Sequence, residues 1–542
     1  MTASATRSAQ TDRFVHDRLP SLKQWPRRVY PLPELQIPDQ ANLVEILFRK
    51  GFVSGQADRP FLRSDSITLS YAGALERVNR ISQLLIEDFS LLPGNRVLLR
   101  GCNSMDMALA WLGVVNAGFI AVATMPLLRA KELGEILAKA RPALALCDAG
   151  LLDELKTARR QFGTPCPIVP FSGMRGADSL EAFSSGKNGN FKPVELLADD
   201  IAMLAFTSGT TGNPKAVVHT HRDVLAACEA WPRHVLKARP DDIVMGSPPL
   251  AFTFGLGGLL VFPMWAGASV YYPSIPYTPE AMVKLLKQVG ASIVYTAPTY
   301  YRQMAAFAKA LGTPSLRLCV SAGENLPDKT RQLWKDATAV EIIDGIGATE
   351  MFHIFISSAG GDVRQGAIGK VVPGYTARVV DEAGIEVPHG TLGKLAVIGP
   401  TGCRYLDDPR QTNYVKDGWN FPGDAFTQDA DGYFFFQARA DDMIITAGYN
   451  IAGPEVEDAL MAHPAVAECV VVGAPDSERG MIVKAFIVLK ENQVGDAVMV
   501  KTLQEHVKSA LAPFKYPRQI EFLSALPRTE TGKLQRFKLR QS

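Results

Sequence analysis

The sequence has little charge imbalance and no long apolar run. Its 57 Lys and Arg residues nearly balance its 55 Asp and Glu residues, which gives a formal net charge of +2. A charge of this size produces no field strong enough to favour nucleic acid or an anionic membrane surface as a partner. No stretch of apolar residues is long enough for a transmembrane helix, which needs about 20 of them. We therefore expect neither nucleic-acid binding nor integral membrane association.

Cysteine pairs with the spacing of metal or redox sites are also missing. The seven cysteines are scattered and include no C-x-x-C pair. This pattern favours reduced thiols in a cytosolic enzyme over disulfides or a zinc site. Residues 1–8 have neither an apolar signal-peptide core nor the sustained Arg and Ser content of a transit peptide. The expected location is therefore the cytoplasm.

Helical and strand patterns alternate along most of the chain. Alternation of this kind is typical of a mostly parallel sheet covered by helices. The strand candidates are residues 96–100, 143–147, 201–206, 243–245, 269–272, 292–295 and 318–321. The fold class predicted is α/β, with a large N-terminal domain that contains two doubly wound α/β subdomains.

The pattern changes in the last third of the chain. Short strands separated by turns between residues 366 and 436 predict a β-rich, barrel-like module. Beyond residue 439 a small α+β domain is expected, so the predicted domains are residues 1–439 and 440–542. Residues 182–198 are predicted to form a loop because of their Gly, Ser and Asn content.

One segment behind a buried strand is rich in glycine and hydroxyl groups. Its candidate phosphate-binding residues are Thr207, Ser208, Gly209, Thr210, Thr211, Gly212 and Lys215. Glycine lets the backbone turn tightly, so that N–H groups and hydroxyls converge on an anion. A solvated turn has a similar composition, but the lysine favours a polyphosphate. A Walker A loop is excluded because Pro214 stands where its second glycine should be.

The order S-G-T-T-G-x-P-K resembles the AMP-binding signature of the adenylate-forming superfamily, which includes acyl-CoA synthetases, luciferases and peptide-synthetase adenylation domains. The resemblance extends over the chain from about residue 40. It implies that residues 1–439 bind AMP and the acid, that residues 440–542 form a mobile domain, and that ATP and Mg²⁺ are used. Lys215 would then steady the leaving pyrophosphate. Gly323 and Glu324 are further implied nucleotide contacts.

A second glycine-rich segment matches the G-x-x-T-E element of this superfamily. It runs from Asp344 through Gly345, Ile346 and Gly347 to Thr349 and Glu350. By resemblance, Thr349 contacts the α-phosphate and Glu350 holds Mg²⁺ between phosphate oxygens, a task for which one carboxylate suffices. A plain glycine-rich turn after a strand is the alternative interpretation.

Asp424 and Arg439 match the ribose-binding positions. A carboxylate can accept two hydrogen bonds from a cis-diol. The usual threonine before Gly-Asp is replaced by Pro422, and the usual glycine before the arginine is replaced by Ala438. These departures remove a hydroxyl near the nucleotide but keep the charged groups.

The last motif, at residues 527–533, matches the family's P-x-T-x-x-G-K and ends in Lys533. By resemblance, this lysine bridges the substrate carboxylate and the phosphate oxygens during adenylation. Asp441 matches the hinge about which the small domain rotates before the thiol attacks. Ala447, Gly448 and Tyr449 match the loop that lines the pantetheine channel of coenzyme A.

The segment at residues 249–257 corresponds to the acid pocket and contains no carboxylate that could pair with an α-ammonium group. Free amino acids are therefore unfavourable substrates. The aromatic side chains of Phe252 and Phe254, with glycines at 345 and 347, predict a flat apolar slot with room at its floor.

Residues 344–355 look closely like the same stretch of benzoate-CoA ligases. By that resemblance the ring-binding residues are Thr253, Phe254, Gly347, His353 and Ile354. Residues 19–25 and 125–131 are similar to the 2-aminobenzoate-CoA ligase branch. The expected activity is AMP-forming ligation of benzoate or 2-aminobenzoate to coenzyme A. His353 as an ordinary core histidine stays open, and so does assembly into a homodimer.

Three other functions remain open at this point. They are a medium-chain acyl-CoA synthetase, a ligase that loads a carrier-protein pantetheine, and a catalytically silent nucleotide-binding protein. The presence of Glu350, Asp424, Arg439 and Lys533 together speaks against the silent protein.

Overall fold

The computed structural model describes residues 8–52, 57–172, 178–207, 214–274, 278–323, 326–439, 444–446, 449–476, 480–511, 515–528 and 534–540. The chain forms two compact units. The first unit comprises Met1–Ala377 and Val397–Asn420, and the second comprises Arg378–Ala396 and Phe421–Ser542. The expected boundary between residues 439 and 440 separates the N-terminal domain from a mobile C-terminal domain. This boundary stays a prediction.

The strands are β1 Pro60–Arg63, β2 Thr68–Ser70, β3 Arg96–Arg100, β4 Ile120–Thr124, β5 Leu144–Asp148, β6 Ile168–Phe171, β7 Ile201–Thr207, β8 Lys215–Thr220, β9 Ile243–Gly246, β10 Ser269–Tyr271, β11 Ile293–Thr296, β12 Leu318–Ser321, β13 Ile342–Gly347, β14 Ile354–Ser358, β15 Lys370–Val371, β16 Thr376–Val380, β17 Gly393–Ile398, β18 Val415–Lys416, β19 Trp419–Asn420, β20 Asp424–Gln428, β21 Phe434–Arg439, β22 Ile444–Thr446, β23 Tyr449–Ile451, β24 Val466–Asp476, β25 Gly480–Leu489 and β26 Gln519–Phe522.

The α-helices are α1 Leu43–Gly51, α2 Tyr71–Glu87, α3 Met105–Asn116, α4 Ala130–Ala140, α5 Leu152–Gln161, α6 Leu180–Ser185, α7 His221–Glu229, α8 Thr253–Leu256, α9 Phe262–Ala266, α10 Pro279–Val289, α11 Pro298–Leu311, α12 Asp328–Thr338, α13 Gln411–Tyr414, α14 Gly453–Ala462, α15 Ala497–Ala510 and α16 Arg536–Leu539. Two π-helical turns, Pro232–Leu236 and Gly257–Val261, follow α7 and α8. Within the described ranges, no helix is long and apolar enough to cross a membrane.

The first sheet of the first unit has the strand order β6-β5-β3-β4-β7-β8. Its strands are parallel except for β8, which runs antiparallel to β7. The core residues of β3 and β4 include Leu98 and Val122, which pack with Leu133 and Leu137 of α4 and with Leu155 of α5. The sequence-based prediction of an α/β subdomain here is confirmed.

The second sheet has the order β15-β14-β13-β12-β11-β9-β10-β1-β2. Strands β9, β11, β12 and β13 are parallel neighbours, so their carboxyl ends meet at one edge. In register at this edge stand the pairs Tyr295 with Gly246, Thr296 with Ser321, and Ser321 with Asp344. In open α/β sheets ligands bind at this edge.

The second unit contains antiparallel strands and a small α+β region. Strand β20 pairs with β21 and with the first residues of β17. Strands β24, β25 and β26 form a sheet whose core is shared with α14 and α15. The α+β composition expected beyond residue 439 is present, with the long strands β24 and β25 and the helices α14 and α15.

The predicted loop at residues 182–198 is wrong in its first part. Helix α6 runs to Ser185, because Ser179 caps it by accepting a hydrogen bond from the Ala182 N–H, and Leu180 is buried. Serine at a helix N-cap satisfies an otherwise unpaired backbone donor. The composition predicted a loop, but the Ser179 cap and the buried Leu180 side chain stabilise a short helix.

Candidate functional site

The predicted phosphate-binding segment is flanked by two paired strands. Thr207 ends β7 and Lys215 begins β8, and the two residues face each other in register. Lys215 Nζ lies 3.3 Å from the hydroxyl of Tyr405 and 5.1 Å from the centre of its ring. The predicted residues from Ser208 to Gly212 lie outside the described residues. The described part therefore shows where the lysine is held but not the loop itself.

Tyr405 links this lysine to the predicted magnesium ligand. Its hydroxyl donates a hydrogen bond of 2.5 Å to Oε1 of Glu350, which is only 8% exposed. The segment around Tyr405 is fixed alongside β8 by two backbone hydrogen bonds, from the Val218 N–H to the Arg404 carbonyl at 2.8 Å and from the Leu406 N–H to the Ala216 carbonyl at 2.9 Å. Burial and the neighbouring Glu350 carboxylate raise the pKa of Tyr405 well above its ordinary value, so the phenol stays protonated and donates.

The backbone that carries Thr349 and Glu350 is held by a buried histidine. Residues Thr349–Met351 form a short 3₁₀ turn behind β13. The ring Nε2 of His219 lies 2.7 Å from the Thr349 carbonyl. Burial lowers the pKa of His219 to about 4, so the ring is neutral and Nε2 carries the proton that it donates. Phe352, which follows the turn, has φ +69°, a conformation that bulky residues rarely adopt.

A buried ion cluster lies directly before Tyr405 in the chain. Arg404 is 2.7 Å from Asp223, and Arg28 is 2.7 Å from the same carboxylate. Burial alone would raise the pKa of Asp223, but the charges of Arg28 and Arg404 outweigh it and hold the pKa below its ordinary value. The cluster ties the N-terminal segment, α7 and the strand-like segment at Arg404 together. It thereby fixes the base from which Tyr405 projects.

The glycine-rich segment of β13 packs tightly. A Cβ atom on Gly345 would stand 2.7 Å from Cγ2 of Ile354, and one on Gly347 would stand 2.7 Å from the His353 carbonyl. A side chain at either position would therefore collide with residues 353 and 354, while the apolar slot expected from the sequence stays a prediction. Glycine is needed at both positions because residues 353 and 354 lie so close to β13 that no room is left for a Cβ atom.

Two further predicted nucleotide contacts flank this region. Asp344 is buried, and burial raises its pKa to about 7, an effect that Arg331 at 3.8 Å only partly offsets. Its Oδ1 accepts a hydrogen bond from the Gly345 N–H at 2.9 Å, and Ile346 continues the strand. Gly323 follows β12 with φ +89°, while Glu324 lies outside the described residues.

The predicted acid-pocket residues belong to a cluster of aromatic rings. His353 has ring-centre distances of 5.6 Å to Phe254, 4.5 Å to Phe262 and 5.3 Å to Trp231. Tyr295 at the end of β11 is 5.8 Å from Phe254. Burial lowers the pKa of His353 to about 3, so its ring is neutral and the cluster bears no charge. Phe252 and Thr253 stand at the beginning of α8, and Ile354 begins β14.

In the second unit, Asp424 and Arg439 face each other on β20 and β21. Arg439 Nη1 donates a hydrogen bond of 2.9 Å to Asp424 Oδ1. Gly423 between Pro422 and Asp424 has φ +85°, and a Cβ there would stand 3.0 Å from Nη2 of Arg439. The two predicted ribose-binding residues are therefore brought together, and the glycine lets the guanidinium pass.

The remaining predicted residues belong to the hinge, the thiol channel and the C-terminal lysine motif. Lys533, Asp441, Ala447 and Gly448 lie outside the described residues. Tyr449 begins β23. Among the residues that the structure describes, no group of three or more His, Cys, Asp or Glu side chains could hold a metal by itself.

Four residues at the site were missed by sequence reasoning, namely His219, Tyr405, Trp231 and Tyr295. None belongs to a motif of the resemblance. A buried aromatic residue gives no signal of its own in the sequence, because core packing calls for the same residue types.

Comparison with known proteins adds to this geometry. Residues 50–404 match the family model described as AMP-binding enzyme, and residues 455–533 match AMP-binding enzyme C-terminal domain. The chain is 35% identical to the benzoate–CoA ligase of Thauera aromatica over 515 residues, which are 94% of this chain and 98% of that protein. It is 30% identical to the 3-hydroxybenzoate–CoA ligase of Aromatoleum sp. (strain CIB), with 92% and 96% covered. The crystal structure of the anthranilate CoA ligase AuaEII in complex with anthranoyl-AMP has a TM-score of 0.87 at 33% identity, with 94% of this chain and 98% of that chain covered.

Proposed function

Since this chain belongs to the AMP-binding enzyme family and is an AMP-forming acid–CoA ligase, we propose that it activates benzoate or 2-aminobenzoate. An aromatic acid is the class that its relatives support. The reaction converts the aryl carboxylate, ATP and coenzyme A into aryl-CoA, AMP and pyrophosphate through an aryl-adenylate. The observation that carries the choice of acid is the uncharged ring cluster of Phe254, His353 and Tyr295, in which Tyr295 stands near the carboxyl end of β11.

The first half-reaction needs charge neutralisation more than proton transfer. The acid's own carboxylate oxygen attacks the α-phosphorus, and the bond to pyrophosphate breaks, so no nucleophilic side chain takes part. Negative charge builds on the phosphate oxygens as this happens. Lys215 would face the leaving pyrophosphate, and Lys533 would bridge the carboxylate and the α-phosphate. Thr349 would contact the α-phosphate from the turn that His219 holds.

The carboxylate of Glu350 fits the magnesium ion that accompanies ATP. Mg²⁺ is a hard cation that takes one or two carboxylates and completes its shell with phosphate oxygens and water. Bound there, it would neutralise phosphate charge during the displacement. The chain's own contribution is to hold the carboxylate in place, which the 2.5 Å hydrogen bond from Tyr405 does.

Recognition of the nucleotide sugar is assigned to the second unit. The Asp424 carboxylate can accept hydrogen bonds from both ribose hydroxyls. Arg439 holds this carboxylate through Oδ1 at 2.9 Å and would itself reach the ribose. Asp441 is proposed as the hinge about which the small domain would turn after adenylation. Ala447, Gly448 and Tyr449 would then line the path of the thiol, whose attack on the acyl carbon releases AMP.

A panel of acids tests the proposal. The purified enzyme is incubated with ATP, Mg²⁺ and coenzyme A, and AMP release is measured for benzoate, 2-aminobenzoate, hydroxybenzoates and straight-chain acids. Benzoate or 2-aminobenzoate should give a kcat/KM well above that of every straight-chain acid. A preference for a medium-chain acid would overturn the choice of acid while leaving the ligase class intact. Replacement of coenzyme A by a pantetheinylated carrier protein distinguishes the two thiol acceptors.

A further inference from the structure

The turn that carries Glu350 ends in a residue with a strained backbone. Phe352 has φ +69° and ψ −47°, values close to those of a γ-turn with positive φ, which is rare and strained. Its side chain is fully buried, with ring centres 5.4 Å from His219 and 6.4 Å from Phe262. Such a conformation persists only where the surrounding structure enforces it, and residues of this kind are concentrated at functional sites.

Two backbone hydrogen bonds and one side chain hold the turn closed. The Met351 N–H donates to the Ala348 carbonyl, and the Phe352 N–H donates to the Thr349 carbonyl, both at 3.0 Å. The Met351 carbonyl, which directly precedes the strained residue, accepts a hydrogen bond from the Thr401 hydroxyl at 2.8 Å. This last bond comes from a residue 50 positions further along the chain. It fixes the peptide unit between Glu350 and the strained φ angle.

A tyrosine in turn holds this threonine. The hydroxyls of Tyr375 and Thr401 are 2.9 Å apart. A hydroxyl has one proton, and Thr401 uses its own on the Met351 carbonyl, so the proton of the second bond comes from Tyr375. Thr401 is fully buried and Tyr375 is 8% exposed. The tyrosine ring packs closely on Gly399, where a Cβ atom would stand 2.1 Å from Cδ1 of the ring.

The turn is therefore held by side chains on both sides of the Glu350 carboxylate. His219 lies 2.7 Å from the Thr349 carbonyl, and Thr401 holds the backbone that follows. Tyr405, four residues after Thr401, donates to the carboxylate itself at 2.5 Å. Mg²⁺ demands near-octahedral geometry, so a single carboxylate ligand must be aimed closely. Groups that orient a metal ligand commonly change metal affinity by about 10- to 100-fold when they are mutated.

We propose that Thr401 and Tyr375 are positioning residues for the adenylation step. Their hydrogen bonds hold the Met351 carbonyl and keep the turn in its strained form, so that Glu350 points toward Mg²⁺. Neither residue touches the substrates, and neither belongs to a motif of the sequence resemblance. This inference rests on the proposed function, because it presupposes that Glu350 binds the metal.

Thr401→Val tests the inference, since it keeps the shape of the side chain and removes the hydroxyl. Benzoate-dependent exchange of pyrophosphate into ATP should fall by about tenfold, because a buried carbonyl loses its partner. Titration calorimetry of ATP without the acid should show a smaller gain in affinity from Mg²⁺ than in the unmodified enzyme. Thioester formation from supplied benzoyl-AMP, which releases no pyrophosphate, should change little. Thr401→Ser, which keeps the hydroxyl, should restore exchange.

Thr124→Val is the matched control. Thr124 is 2% exposed, and its hydroxyl donates to the Leu99 carbonyl at 3.1 Å in the first sheet. This variant should lower the melting temperature, as Thr401→Val does, and leave the effect of Mg²⁺ on ATP affinity unchanged. Tyr375→Phe removes only the outer hydrogen bond and should act like Thr401→Val, but more weakly. It provides the same readouts if Thr401→Val does not fold.

An equal fall in both half-reactions would show a merely structural role and overturn the proposal. An unchanged effect of Mg²⁺ in both Thr401→Val and Tyr375→Phe would overturn it as well. Glu350→Gln separates these failures from a failure of the proposed function. If ATP affinity in Glu350→Gln gains as much from Mg²⁺ as in the unmodified enzyme, the metal role of Glu350 is itself refuted.

Discussion

The hydroxyl of Tyr405 donates a 2.5 Å hydrogen bond to Glu350 and lies 3.3 Å from the ammonium group of Lys215. One phenol thereby connects the carboxylate proposed to hold Mg²⁺ with the lysine proposed to steady pyrophosphate. The buried Arg404–Asp223 pair and the backbone pairing with β8 fix the position of this phenol. Preorganised groups of this kind lower a barrier because they need not reorganise as charge develops.

Tyr405→Phe should weaken adenylation more than it weakens folding. The substitution keeps the ring and removes the hydrogen bond to a charged carboxylate, an interaction worth about 1.5–3 kcal/mol. We expect acid-dependent exchange of pyrophosphate into ATP to fall by about 10- to 100-fold. Titration of Mg²⁺ in the same assay should require a higher concentration for half-maximal rate.

The control for that variant is Tyr71→Phe. Tyr71 is also fully buried, and its hydroxyl donates to the Ala268 carbonyl at 2.8 Å, away from Glu350. It should lower the melting temperature without changing the dependence on Mg²⁺. An exchange rate in Tyr405→Phe equal to that of the unmodified enzyme would show that Glu350 needs no support from the phenol.

Lys533→Ala should separate the two half-reactions. The lysine is assigned only to adenylation, where it neutralises charge between the carboxylate and the α-phosphate. Pyrophosphate exchange should be lost, while aryl-CoA formation from supplied aryl-AMP should continue at nearly the original rate. Rapid-quench measurement of each step checks this. Equal loss in both steps would refute the assigned role.

Asp441→Pro tests the hinge. Proline fixes φ and removes an N–H donor, so a residue that must change its backbone angles cannot do so freely. The rates of adenylation and of thioester formation, each measured separately, should fall less than the rate of the overall reaction. Overall turnover equal to that of the unmodified enzyme would contradict a hinge at this position.

Asp424→Asn should raise the KM for ATP with little effect on the KM for the acid. The substitution removes the charge that pairs with Arg439 at 2.9 Å and exchanges one acceptor oxygen for a donor. We expect a rise of about tenfold or more, the size of a lost charge-assisted hydrogen bond. Asp429→Asn in the turn after β20 is the control, and it should leave both KM values unchanged. A similar rise in the KM for the acid would contradict the assignment of Asp424 to the ribose.

Stability should fall as the pH decreases from 6.5 to 4. Burial lowers the pKa of His219 to about 4, of His221 to about 3 and of His353 to about 3, so these rings stay neutral while the unfolded chain is protonated. Each then lowers the free energy of unfolding by roughly 3 kcal/mol over this window. Asp344 acts in the opposite direction, because its raised pKa of about 7 favours the folded form at acid pH.

Urea unfolding at several pH values measures how the free energy of unfolding changes under these opposing effects. With three histidines against one aspartate, the slope between pH 4 and 6.5 should correspond to about two protons taken up on unfolding. His219→Gln, which keeps a donor toward the Thr349 carbonyl, should reduce the slope by about one proton. A flat profile in the unmodified protein would contradict the neutral, buried state of these rings.

The strands could be predicted from sequence because their signal is local. Arg96–Arg100 and Leu318–Ser321 have the bounds that the apolar runs indicate. The pair Asp424 and Arg439 was also foreseeable, since both belong to motifs and their strands are neighbours in the chain. Helix α6 was missed because its cap, Ser179, is of a residue type that also favours loops.

The supporting contacts of the site could not be predicted in the same way. His219 is 130 residues from Thr349, and Tyr405 is 190 residues from Lys215. Such contacts depend on how β8 and the segment at Arg404 come together, which no local pattern encodes. The close packing of residues 353 and 354 against Gly345 and Gly347 is likewise visible only in the fold.

The most direct test follows the carboxylate oxygen of the acid. Benzoate, 2-aminobenzoate or a hydroxybenzoate with isotopically labelled carboxylate oxygens is converted with ATP and coenzyme A, and the products are examined by mass spectrometry. We expect one labelled oxygen in AMP, none in pyrophosphate, and one aryl-CoA for each AMP. Label in inorganic phosphate, formation of ADP, or turnover restricted to straight-chain acids would contradict it.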